Sequence, residues 1–282
     1  MSVTAMAMAR APGPISQCQS FNLPPRAQSK FALAILILCC GLLLPATSFA
    51  QDPPTEGGFQ IQRTLNQLLG EENAKRYKKI ISPEELISWE VYLPDNNSNE
   101  IPGVFVYVSP TSSGEIGPRW RSVMDQQNLI FIAANDAGNK RYVERRMVLA
   151  TMAIKVLGQH YLFDVEHINV AGFSGGGRVA SKLASQYPEA FTGALYICGV
   201  DFWKKNQTPE VERLLQNRFV FLTGSRDFNR EETQRIYRKY IKAGAQNSKL
   251  MVIPGMSHEL PDAPALVEAL QFLKAAEPPL RE

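Results

Sequence analysis

The chain has 282 residues, 45% of them hydrophobic, with 30 lysines and arginines against 27 acidic residues and a formal net charge of +3. That balance excludes a disordered or fibrous chain and provides enough apolar surface for one sizeable core. The basic excess is no footprint of nucleic-acid binding, because Arg10, Arg26 and Lys30 precede the first acidic residue and the remainder is formally neutral, with no basic stripe.

In chain order, residues 1–50 read as an export signal. The three basic residues precede an apolar run over 31–44, and Ser48-Phe49-Ala50 places small residues where a signal peptidase reads. Cleavage near Ala50 is expected, leaving a periplasmic or extracellular protein. An uncleaved anchor is the alternative, and only then would the protein meet a membrane through this segment. The apolar run is short for a span, however, and Pro45 interrupts it. Cys18, Cys39 and Cys40 leave with the leader, so Cys198 remains alone, expected as a small buried core residue with no disulfide.

Residues 51–58 read as a flexible lead-in and 63–79 as a polar helix, giving a lead-in region over 51–79 and a main domain over 80–282. Residues 87–93 alternate as a strand, and Asn96-Asn97-Ser98-Asn99 marks a hairpin turn into a second strand at 104–108. Residues 129–134 form the next strand, and 142–158 place Val143, Met147, Ala150, Ile154 and Leu157 at helical spacing. Then follow strands at 168–171, 194–200, 219–223 and 249–253, with helices from Arg178, over 230–243 and over 263–276. This alternation predicts an α/β fold, a mostly parallel central sheet with helices on both faces. The segment between Val200 and Phe219 is too short for a substantial lid domain, so an open site is expected.

Three stretches carry chemistry. Gly172-Phe173-Ser174-Gly175-Gly176-Gly177 lies between a strand and a helix, the setting of a nucleophile elbow, where a serine occupies strained backbone that only small neighbours tolerate. The first N–H groups of the following helix, from Gly175, would face the same spot. A serine hydroxyl needs a base and an orienting acid. Asp227 follows the strand at 219–223, with Asp201 ranked second as the acid. Among three histidines, only His258 lies in a turn after a strand beyond the elbow; His160 and His167 precede it.

These stretches, together with Leu222 to Asp227 and Pro254 to His258, resemble the catalytic segments of α/β-hydrolase esterases, particularly the poly(hydroxyalkanoate) depolymerase-like and feruloyl-esterase-like group, over about residues 80 to 280. The resemblance implies a Ser-His-Asp hydrolase of carboxylic esters, small or polymeric. Many relatives carry a His-Gly pair after the third strand, where this chain has Ser109-Pro110-Thr111. By position Thr111, beside Gly175, would supply the second oxyanion N–H, since Pro110 has none. Phe173, Trp120 and Trp203 are candidate walls for an apolar acyl or aryl group. No cofactor and no metal are expected. A peptidase or acyltransferase on the same scaffold, or a non-catalytic binding protein, are the competing readings.

Overall fold

The computed structural model describes residues 54–95, 100–203, 208 and 210–274. The export signal expected over 1–50 and the turn at 96–99 lie outside them. Among the described residues no helix is long and apolar enough to cross a membrane.

The first strand, β1 (Gly57–Arg63), is followed by two short helices, α1 (Leu65–Leu69) and α2 (Glu71–Ala74), and a 3-10 turn at Lys75–Tyr77. The single helix expected over 63–79 is thus broken. Thr64 and Gln67 cap α1 reciprocally, and Gly70 at φ 75° ends it. The lead-in is not merely flexible either. In β1, Phe59 and Ile61 alternate with Gln60 and Gln62, a strand period that the sequence reading passed over.

Then come β2 (Ile87–Leu93), β3 (Gly103–Val108), α3 (Pro118–Gln127), β4 (Leu129–Ala134), α4 (Val143–Gly158), β5 (Ile168–Phe173), α5 (Gly175–Gln186) and β6 (Gly193–Ile197). The chain continues through α6 (Val211–Gln216), β7 (Arg218–Gly224), α7 (Arg230–Lys242), β8 (Ser248–Ile253) and α8 (Ala263–Lys274). Eight strands form one sheet in the order β1-β2-β4-β3-β5-β6-β7-β8. β1 with β2 and β2 with β4 are antiparallel, and every pair from β4 to β8 is parallel.

The expected hairpin between β2 and β3 does not form, because β4 lies between them. All six residues of β3 are buried, so it belongs inside a parallel run with helices on both faces. β2, half-buried at alternate positions, fits beside the edge. The α3 crossover returns the chain to the β2 side of β3, and α4 then carries it past β3 to β5. That reversal makes the C-terminal end of β3 a topological switch point, where open α/β sheets form clefts.

Alternation along β3 shows how the two faces are filled. Val104, Val106 and Val108 join the cluster formed with α4, α5 and α7, whereas Phe105 and Tyr107 face α3 and α8. With both faces sealed, the polar loops at the C-terminal ends of β3, β4, β5, β7 and β8 converge on one rim.

Candidate active site

Ser174 sits between the end of β5 and the first turn of α5 with φ 56° and ψ −120°, a conformation costly for a residue with a side chain. Its N–H donates to Ile197 O at 2.8 Å, which anchors the turn to the neighbouring strand. The turn is too tight for larger neighbours. A Cβ on Gly172 would lie 2.3 Å from the Gly176 carbonyl, and one on Gly176 would lie 1.9 Å from Val108 O.

The three predicted side chains come together as one hydrogen-bonded chain. His258 Nε2 is 2.9 Å from Ser174 Oγ, and His258 Nδ1 is 2.8 Å from Asp227 Oδ1. The Asp227 side chain is fully buried. Burial by itself raises the carboxyl pKa, but hydrogen bonds from Thr223, the Asn229 N–H and His258 outweigh it and hold the group below the usual carboxylate range. Thr223 Oγ1 donates at 2.6 Å and Asn229 N at 3.0 Å.

Asp201 is engaged elsewhere. It accepts from Arg178 at 2.9 Å and from Lys182 at 2.5 Å, and Arg178 also pairs with Glu232. His160 meets Arg63 at 2.7 Å, and His167 packs against Gly103 at the N-terminal end of β3. Neither reaches Ser174.

Cys198 is buried as expected, yet it is more than filler. Among the described residues, only Cys198, Asp227 and His258 group as possible metal ligands, with ligand atoms within 4.8 Å of one another. Spacing in the sequence could not reveal that group, because three different strand ends supply it. Burial, reinforced by the neighbouring Asp227 carboxylate, pushes the thiol pKa far up. A thiol held protonated is a poor metal ligand, and here Cys198 Sγ donates to Glu259 O at 3.7 Å beside the Asp227 carboxylate.

The expected walls divide. Phe173 lies at the site, its ring 4.9 Å from that of His258. Trp120 and Trp203 belong to the core. Trp120 packs on Phe105 and Tyr107 with its indole N–H on Pro261 O at 3.3 Å, and Trp203 packs on Phe202 and Tyr240. Trp120 on α3 and Trp203 after β6 each join one of the two apolar clusters that flank the sheet, and that packing decided their place. Phe228 was missed: 76% exposed, it stacks on His258 at 4.1 Å. Its position directly after Asp227 was the available signal.

Gly175 opens α5 beside Ser174, so its N–H stands at a helix N-terminus. The Thr111 N–H is occupied, donating to Ser109 Oγ at 3.1 Å, and that bond must yield before the amide could serve an anion. The exposed Asn139 carboxamide, which the sequence reading did not single out, packs against Gly175: a Cβ on that glycine would lie 2.2 Å from Asn139 Oδ1. Together these groups form a hydroxyl next to an imidazole with an oriented, ionised acid behind it, and polar N–H donors alongside.

No protein-family model matches the sequence, and no curated protein matches it. Solved structures do. A ferulic acid esterase aligns over 78% of this chain and 98% of its own at 15% identity and a TM-score of 0.54. A fungal esterase from Rhizomucor miehei aligns over 78% and 83% at 14% identity and a TM-score of 0.56. The fluorophosphonate-binding serine hydrolase F of Staphylococcus aureus aligns over 77% and 98% at 13% identity and a TM-score of 0.55. At such identities a likeness speaks for the fold, and with the strand order above it establishes that the described residues adopt the α/β-hydrolase fold.

Proposed function

We propose that this protein is an exported carboxylic-ester hydrolase that works through an acyl-enzyme on Ser174. The observation that carries the reading is the continuous path from Ser174 Oγ through His258 to buried Asp227, with the serine on a strained strand-to-helix turn. His258 takes the hydroxyl proton as Oγ attacks the ester carbonyl, and Asp227 holds the imidazole in the required tautomer and stabilises its cation. The Gly175 N–H binds the developing oxyanion, with Thr111 as the second donor once its amide leaves Ser109. His258 then protonates the departing alcohol, and water activated by the same base releases the acid. The apolar run and small residues ahead of Ala50 support export.

Phe173 and Phe228 on the His258 ring favour an ester with an apolar acyl or aryl group. Phe228→Ala should raise KM about tenfold for an aryl ester and leave that for an acetyl ester of a small alcohol within about twofold, because removing a ring–ring contact costs on the order of 1 kcal/mol only where a ring is bound. Equal effects on both esters would remove Phe228 from the binding wall.

The reading as a whole is tested with a fluorophosphonate probe and an ester panel on the purified protein. Wild type should label and turn over esters, and Ser174→Ala should do neither. A folded wild type that neither labels nor hydrolyses any ester would favour a binding protein on this scaffold. Labelling with turnover confined to peptide amides would favour a peptidase.

A further inference from the structure

Behind the proposed oxyanion site lies a buried cation that the mechanism above does not use. Arg146, on α4, is 4% exposed. All its hydrogen bonds among the described residues go to backbone carbonyls: Nε donates to Ala137 O at 2.7 Å, Nη2 to Ser109 O at 3.0 Å and Nη1 to Gly175 O at 3.3 Å. Among the described residues no carboxylate pairs with it. Burial lowers its pKa, yet a guanidinium stays charged at any working pH. A desolvated cation is costly, and an apolar side chain would fill the same space with less penalty. What the guanidinium adds is a rigid planar fork that can bind three carbonyls at once.

Those carbonyls belong to the three segments around Ser174. Ser109 begins the loop after β3 that carries Thr111. Ala137 lies in the loop after β4, two residues before Asn139. Gly175 is the residue after the proposed nucleophile. The segments also meet one another: Asn139 N–H donates to Pro110 O at 2.9 Å, and a Cβ on Gly138 would lie 2.6 Å from the Thr111 carbonyl carbon. Arg146 touches all three from the core side.

We propose that Arg146 is a positioning residue that locks these loops into one preorganised wall for the oxyanion, an inference that rests on the serine-hydrolase reading. A wall that meets charge only as it develops raises kcat and leaves ground-state binding unchanged. Misplacement of such donors by about 1 Å can cost on the order of 100-fold. Losing Arg146 therefore lowers kcat with KM nearly constant. A lysine keeps the charge but cannot fork to three acceptors, so it restores part of the rate.

The test compares wild type, Arg146→Met and Arg146→Lys, with rates normalised to the folded fraction from thermal unfolding of the same samples. Expected is a kcat loss of about 100-fold for Arg146→Met and about tenfold for Arg146→Lys, with KM within about twofold. Affinity for a boronic acid that mimics the tetrahedral intermediate should fall in parallel with kcat/KM. If Arg146→Met does not fold, the lysine variant decides by the same criteria. Wild-type kcat per folded molecule, or a loss carried by KM alone, overturns the positioning role while leaving the serine-hydrolase reading intact. A wild type inert to both esters and fluorophosphonate overturns that reading and this proposal with it.

Discussion

Replacing Ser174 by alanine is expected to reduce ester turnover by on the order of 10⁴-fold or more, since a triad works as a unit and loses most of its power with any one member. Measured on a panel of soluble esters, comparable rates in wild type and Ser174→Ala would remove the serine from the chemistry. Stability gives an independent reading of the same turn. Alanine keeps a Cβ at φ 56°, so its unfolding midpoint should match wild type. Glycine tolerates that backbone, so Ser174→Gly should be more stable than Ser174→Ala by on the order of 1 kcal/mol. Equal stability of the two variants would mean that the elbow stores no strain.

The second large effect is expected at Asp227. Asp227→Asn should slow turnover by on the order of 10⁴-fold near neutral pH, because a carboxamide can hold the imidazole in the wrong tautomer and cannot stabilise its cation. Asp201→Asn should change turnover little, since Asp201 answers to Arg178 and Lys182 at the partly exposed end of α5. The reverse ranking would move the acid to the β6 loop. The carboxylate also links stability to pH. Because the folded protein holds Asp227 below the usual carboxylate range, its contribution is complete above the unfolded-state pKa and is lost as pH falls through the lower folded-state value. Acid titration of the unfolding midpoint should therefore be shallower in Asp227→Asn than in wild type over that interval. Parallel curves would show that the charge contributes nothing to the fold.

Most of the elements and the three central residues were legible in order along the chain. Parallel strands buried on both faces must be short apolar runs, and their connections must be helices, so β4, β5 and β7 stand out as runs bounded by polar loops. The elbow is visible because its backbone geometry admits almost no residue but glycine at Gly172 and Gly176. Ser174, Asp227 and His258 are legible because each follows a strand, and parallel strands deliver their C-terminal loops to one rim.

Strand partners and the surroundings of the site were not legible. The Asn-rich turn at 96–99 is a sound local signal for a hairpin, but pairing is a contest for buried edges across the whole sheet, and β4 won the place beside β2. β1 was lost for the same reason, as its short alternating pattern gains meaning only from antiparallel pairing with β2. Trp120 and Trp203 went to the core because each lies over a sheet face that large rings can fill, whereas Phe228 stayed exposed beside His258.

By itself the sequence determined the fold class and the elbow and pointed to Ser174 and His258, with Asp227 ranked ahead of Asp201, since period, glycine placement and strand-end position are local properties. The tertiary structure decided which acid faces His258, that Thr223 donates to that acid, and that Arg146 binds three segments around Ser174. Those contacts join residues far apart in the chain, and only the packed sheet, by fixing where strand ends emerge, brings them within hydrogen-bonding distance.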